Sequence, residues 1–266
     1  MNSRILLVVG DKFASYVQGK DAITLSQLRG LLSFSVPLLP GQGVTLLVPG
    51  QGLGDASVKN LLAEAAASPN LSQFDFTLWH SLPERAPSHL THKHLSSNTL
   101  VSTPRQQSEF VYEADLMIDE DCELMHDHLS GQHVQGMILI EAIRQALMAV
   151  AEAYLIPKND IQYAFVFNGL SVTYSQYTFP IGATIRCTMT EVSLNNPRRL
   201  SFSARVDVEQ CGQSVCEFSA SFGAMEKMRI AKRENMGAIK AHTEYLNQVV
   251  AGMRQHPLPL AHVDSL

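Results

Sequence analysis

Between Gly136 and Val150 the chain reads Gly-Met-Ile-Leu-Ile-Glu-Ala-Ile-Arg-Gln-Ala-Leu-Met-Ala-Val, a proline-free run that is apolar on nearly every side of a helix. A helix of that kind is wrapped by other structure, since one laid on a surface keeps a polar face. Three residues interrupt it: Glu141, Arg144 and Gln145, which spacings of three and four place on one face. Charge on a buried helix is costly unless it is paired or used. Just upstream stand His126, Asp127, His128, Gln132 and His133, and Gly136 sits where the helix begins. Free N–H groups and partial positive charge at a helix start suit a carbonyl that is turning negative. Imidazole, carboxylate and an oxyanion-ready helix start thus fall within one short stretch.

Two likenesses follow from these residues. The looser is to the central helix of hotdog-fold β-hydroxyacyl-ACP dehydratases, where a His precedes the helix, a Gly opens it and a Glu follows. Gly136 and Glu141 keep that spacing, whereas His128 stands one residue closer. The nearer likeness is to the A-factor biosynthesis (AfsA-type) hotdog family of γ-butyrolactone autoregulator synthesis. It rests on Asp127-His128, Gly131-Gln132-His133, Gly136-Met137, Glu141-Ala142 and Arg144-Gln145. Upstream, His92-Lys93, Asn98-Thr99-Leu100-Val101 and Pro104-Arg105 also resemble that family. The resemblance covers roughly residues 90 to 225.

Composition bounds the remaining choices. The chain has 266 residues, enough for one large or two small domains, and its 45% hydrophobic content provides a core. A net charge of −5 argues against nucleic-acid binding. The apolar run after Arg4 is too short for a signal peptide, and no stretch reaches membrane-spanning length. Cys122, Cys187, Cys211 and Cys216 form no CxxC pair and read as small buried residues of a reduced, cytoplasmic protein.

In chain order, residues 1–85 alternate strand and helix as a small α/β-like region, or else a worn hotdog repeat. Strands are expected at 4–9, 44–48 and 74–79, with helices at 24–33 (capped by Thr24 or Ser26) and 56–67. Gly50-Gln51-Gly52-Leu53-Gly54 falls between strand and helix but has neither the GxGxxG spacing nor a P-loop Gly-Lys-Ser/Thr, so it reads as a turn. Residues 81–108 read as a linker and loop. His89, His92 and His94 lack ligand-spaced partners, so they read as loop histidines and no metal site is expected. Lys93 and Arg105 are solvated charges or contacts for an anionic substrate group. After the central helix come 161–167 and 170–179, joined at a bend near Gly169. Alternating strands follow at 184–190 and 200–209, and 213–225 closes the sheet. The domain reading is 1–85 α/β-like, 86–226 hotdog and 227–266 a helical tail. The fold class is α+β, a hotdog whose exposed edges favour a homodimer. The tail carries Lys227, Arg229, Lys232 and Arg233, a solvated face or a contact for an acidic carrier protein.

Arg144 beside Glu141 opposes the pKa rise that burial brings, and so keeps the carboxylate ionised. Ionised, it orients a His or a hydroxyl rather than donating a proton. No Ser or Cys in the run reads as a nucleophile beside a base, so direct attack by a bound alcohol is expected. What the AfsA resemblance implies is transfer of a β-ketoacyl group from an ACP or CoA thioester to a hydroxyl of a three-carbon phosphate such as dihydroxyacetone phosphate. In that reading His128 is the general base, with His133 in reserve, and Glu141 orients the base or the acceptor. The Gly136 and Met137 N–H groups hold the thioester carbonyl, Gln132 and Gln145 position by hydrogen bonds, and Arg144 and Arg105 meet the anion. No metal or redox cofactor is required. A dehydratase or thioesterase on acyl-ACP, and a non-catalytic acyl-binding scaffold, are the competing readings.

Overall fold

The computed structural model describes residues 4–35, 43–127 and 129–255. The chain opens with β1 (Ile5–Val9), β2 (Ala22–Thr24), α1 (Leu25–Ser33), β3 (Thr45–Pro49), α2 (Asp55–Ala67) and β4 (Phe74–Asp75). These strands form one parallel sheet in the order β2-β1-β3-β4. Thr24 caps α1 through a reciprocal box with Gln27, satisfying donors that a helix start leaves free. The expected third strand, 74–79, is cut short at Asp75. Its carboxylate accepts the N–H and hydroxyl of Thr77 at 2.8 and 2.6 Å, which turns the chain into a short 3-10 segment. β2, at the sheet edge, is too short to give a periodic sequence signal.

The second unit follows a connection carrying α3 (Ser88–Thr91): β5 (Arg105–Ser108), β6 (Val111–Asp115), α4 (Gly136–Val150), β7 (Tyr163–Tyr174), β8 (Thr184–Ser193), β9 (Arg199–Gln210), β10 (Gln213–Glu226) and α5 (Lys227–Gln255). Its six strands pair antiparallel in the order β5-β6-β8-β9-β10-β7. Alternation dictates which face packs: Ile185, Cys187 and Met189 on β8, and Leu200, Phe202, Ala204, Val206 and Val208 on β9, all turn inward. They enclose Ile138, Ala142, Ile143, Ala146 and Leu147 of α4. A long helix gripped by one curled antiparallel sheet is the hotdog arrangement. The bend near Gly169 is real: β7 and β10 slip register there, pairing Ser221 with Gly169 and Phe222 with Phe167, which leaves Asn168 as the extra residue of a bulge.

Two features depart from the sequence reading. The central helix is not enclosed all round, because Met137, Ile140, Glu141 and Arg144 form an outward stripe, with Met137 58% exposed. Cys211, expected inside, is exposed in the hairpin turn between β9 and β10, where it takes a left-handed φ of 51° beside Gly212.

The loop 50–54 joins the two units. Gln51 donates from its side chain to the carbonyls of Leu116 (2.9 Å) and Ile181 (3.3 Å) and accepts from the Ile118 N–H (2.8 Å). Gly52 bridges to the 118–119 segment, donating its N–H to Ile118 O at 2.9 Å. Gly10 and Gly52 must both be glycines here, since a Cβ on Gly10 would lie 2.3 Å from Gly52 O. Arg85, its side chain only 6% exposed, donates to the carbonyls of Leu53, Thr99 and Met117 and pairs with Asp55 at 2.8 Å. Phe13 of the first unit is buried in the core of the second.

Candidate active site

The polar stripe of α4 resolves into a compact cluster. Glu141 receives two bonds from Arg144, Nε to Oε2 at 2.7 Å and Nη2 to Oε1 at 2.8 Å, the fork-to-fork geometry that arginine favours. Lys93 Nζ reaches Glu141 Oε1 at 2.6 Å, and Gln145 Nε2 donates to the same oxygen at 3.0 Å. Gln145 is fully buried; it also donates to Asn98 O (2.8 Å) and accepts the Leu100 N–H (2.8 Å). The segment 98–100 is thereby fixed to the helix, and with it the loop bearing Lys93. Burial alone would push the Glu141 carboxyl up, but bonds from Arg144, Lys93 and Gln145 outweigh it and bring the pKa down to about 2. Glu141 is a fixed anion. Two cations against one carboxylate leave the cluster with one positive charge in excess.

A second focus lies at the start of α4. Gln135 caps the helix without a side-chain bond to it and instead donates its amide to the carbonyls of Leu124 and Asp127. A cleft of about 420 Å³ opens beside the first turn, lined by His133, Gly136, Leu139, Tyr174, Tyr177 and Thr178 among others. The Tyr174 hydroxyl donates to Gly136 O at 3.0 Å, and its phenol is pushed up in pKa by burial, so it stays a donor. A Cβ on residue 136 would lie 2.6 Å from that hydroxyl, so any side chain there displaces the Tyr174 ring.

His133 packs against Tyr177 with ring centroids 4.8 Å apart and planes tilted by 48°, and its Nδ1 lies 3.0 Å from Ser130 Oγ. That hydroxyl stands beside an imidazole in the loop before α4. It already accepts the N–H groups of Gln132 (3.1 Å) and His133 (3.3 Å), so its own proton goes to Nδ1. In the neutral ring the proton then sits on Nε2. Gln132 donates to Ser15 O at 2.7 Å, and Tyr16 N–H to Gly131 O at 2.9 Å, so the first unit holds this loop in place.

The other sequence candidates are placed as follows. Gly136 and His133 line the cleft at the helix start, Met137 follows in the first turn without lining it, and Glu141, Arg144 and Gln145 gather about a turn further along and do not line it either. Arg105 is on β5, bound to Asp115 at 2.6 and 3.3 Å, apart from both groups. His128 lies outside the described residues. Sequence reading left Lys93 as a solvated charge or anion contact, whereas it completes the Glu141 cluster. Tyr174 and Tyr177 gave no signal, because they lie on a strand and turn remote from the motif.

A family model for the A-factor biosynthesis hotdog domain matches residues 76–225, more than half of the chain. The chain belongs to the AfsA hotdog family. Residues 1–75, with all four strands of the parallel sheet, lie outside that match. No curated protein matches the chain. Among solved structures, the AfsA chain is similar to the dehydratase heterocomplex ApeI:P from Xenorhabdus doucetiae (16% identity, 56% of this chain and 98% of that one, TM-score 0.40). It is also similar to the putative thioesterase from Shewanella oneidensis (10% identity, 55% and 92%, TM-score 0.36). The AfsA assignment supports an acyl-thioester-processing hotdog enzyme. Among the described residues, no helix is long and apolar enough to cross a membrane.

Proposed function

We propose that this AfsA-type chain transfers a β-ketoacyl group from a carrier thioester to a hydroxyl of a three-carbon phosphate such as dihydroxyacetone phosphate, in butyrolactone-type signal or related secondary metabolism. The observation that carries the reading is the ionised Glu141 held between Lys93 and Arg144. A carboxyl titrating near 2 cannot supply the proton that a dehydratase gives to a departing hydroxyl. An excess cation there suits the phosphate of the acceptor instead.

The remaining roles follow the geometry. The thioester carbonyl sits on the Gly136 and Met137 N–H groups, in the cleft beside His133. With Nδ1 taken by Ser130, His133 offers Nε2–H as a donor to that carbonyl, and the base falls to His128. The acceptor oxygen attacks the carbonyl carbon while its proton passes to imidazole. The C–S bond then breaks, and the thiolate takes the proton back. No metal or redox cofactor is called on. The protein works as a cytoplasmic homodimer through β7, an edge strand with exposed Val166, Leu170 and Tyr174.

Mass spectrometry of the protein incubated with a β-ketoacyl thioester, with and without dihydroxyacetone phosphate, tests this. An ester product that requires the acceptor is expected. Water loss or free acid formed equally without it sinks the transferase reading.

A further inference from the structure

At the end of the molecule where β10 runs into α5, cations concentrate. Lys227, Arg229, Lys232 and Arg233 fall within seven residues without an acid among them, and Arg198 in the β8–β9 turn and Arg199 at the start of β9 lie beside them. Glu226 alone is shared between Arg198 and Arg229, at 3.7 and 3.4 Å. Arg199, Arg229, Lys232 and Arg233 surround a cleft of about 440 Å³ whose floor includes Met225 and Met236. Met236 is 62% exposed, and all four cations are exposed. The chain as a whole carries −5, so this is a local reversal of sign.

We infer that this cleft docks a small acidic protein that presents an apolar side chain among its carboxylates, and that this protein is the carrier of the acyl thioester. The inference rests on the proposed function for what the partner carries and for the homodimer that sets which cleft the patch serves. Charge complementarity steers the encounter, and the methionines give an adaptable apolar seat. A concave, apolar-floored site suits a convex knob. A membrane plane or a long polyanion would also meet the negatively charged remainder of the chain.

The position of the patch says which cleft it serves. Lys227 N–H bonds to Gln162 O, beside the start of β7, whereas Gly136 meets Tyr174 at its end. Twelve residues of strand separate them by about 36–40 Å. Antiparallel pairing of β7 with a second copy lays one strand start against the other strand end. The patch of each protomer then borders the cleft of the other.

The test uses the full chain and the double substitution Arg229→Glu/Arg233→Glu, both at exposed positions. Affinity for a type II acyl carrier protein is titrated directly, and turnover is compared for one β-ketoacyl group on that carrier and on pantetheine. The expected result is at least a tenfold loss of carrier affinity and of kcat/KM with the carrier substrate, with the pantetheine substrate unchanged and the wild-type affinity falling steeply with salt. Undiminished carrier binding by the variant, an equal loss with both substrates, binding to anionic phosphatidylserine vesicles in place of the carrier, or a monomeric protein overturns it. If the wild type binds carrier through these arginines yet turns over neither thioester, the docking site stands and the acyl-transfer reading falls.

Discussion

Arg144 and Glu141 face each other one helical turn apart with two near-parallel bonds, and Lys93 closes the same carboxylate from a different segment of chain. The carboxylate is therefore the hub of a half-buried ion cluster, and its removal leaves two cations side by side. Glu141→Gln is expected to abolish acyl transfer to within a few per cent and to destabilise the fold by about 3 kcal/mol, as when one partner of a buried pair is removed. Circular dichroism in urea, beside product formation, reads both. Retained activity would remove Glu141 from the chemistry.

The same group sets an acid limit. Its folded pKa is depressed from 4.5 to about 2, so the stabilisation is complete above the unfolded value and fades as pH falls from about 5 to 2. At roughly 1.4 kcal/mol per unit, the whole effect is at most about 3.5 kcal/mol. The stability difference between wild type and Glu141→Gln should shrink as urea titrations move from pH 7 to pH 3. A difference that stays constant means the carboxylate is not depressed.

Gly136→Ala places a methyl group against the Tyr174 hydroxyl, the mobile end of a half-exposed ring. The ring can swing away, so the melting temperature should change by no more than a few degrees. The cleft beside the helix start is then reshaped, and turnover is expected to fall at least tenfold. Tyr174→Phe in the same background removes the hydroxyl but leaves the ring carbon that the methyl meets at 2.7 Å, and should recover little of the loss, whereas Tyr174→Ala removes the contact and should recover part of it.

Ser130→Ala frees His133 Nδ1 and lets the ring change tautomer. A loss of about tenfold in kcat with an altered pH profile is expected, against a larger loss for His128→Ala. The reverse order would make His133 the base.

Thiol chemistry separates the cysteines. Burial pushes the Cys187 and Cys216 thiols up to about 12 and raises that of Cys122, whereas Cys211 lies exposed in its turn. Iodoacetamide at pH 8 on the native protein should label Cys211 alone by mass spectrometry.

Much of the second unit was legible because its strands alternate cleanly. Ile185, Cys187 and Met189, and then Leu200 to Val208, turned inward as their spacing required, and Gly169 marked the bulge. The α4 motif likewise announced the Glu141–Arg144–Gln145 face. Lys93 escaped because nothing in a loop sequence shows which distant helix it will meet; the contact depends on Asn98 and Leu100 being fastened by Gln145. Tyr174 and Ser130 were hidden for a related reason: one is a strand residue like its neighbours, the other an ordinary turn serine until its acceptor bonds are counted. The outward stripe on α4 was missed because periodicity does not show which side of an apolar helix the sheet leaves open.

The seam formed by Gly10, Gln51 and Gly52 has one more effect. Open α/β sheets hold their ligands at the carboxyl ends of the strands, where order reverses, here between β1 and β3. In this chain Glu120 fills that spot, its carboxylate on the Lys12 N–H at 3.3 Å, with Asp119 pressed against Gly54. The parallel sheet thus treats its neighbour's acidic turn as a permanently tethered guest. A chain cut between the halves would leave one half with a vacant seat and the other with a stranded pair of carboxylates.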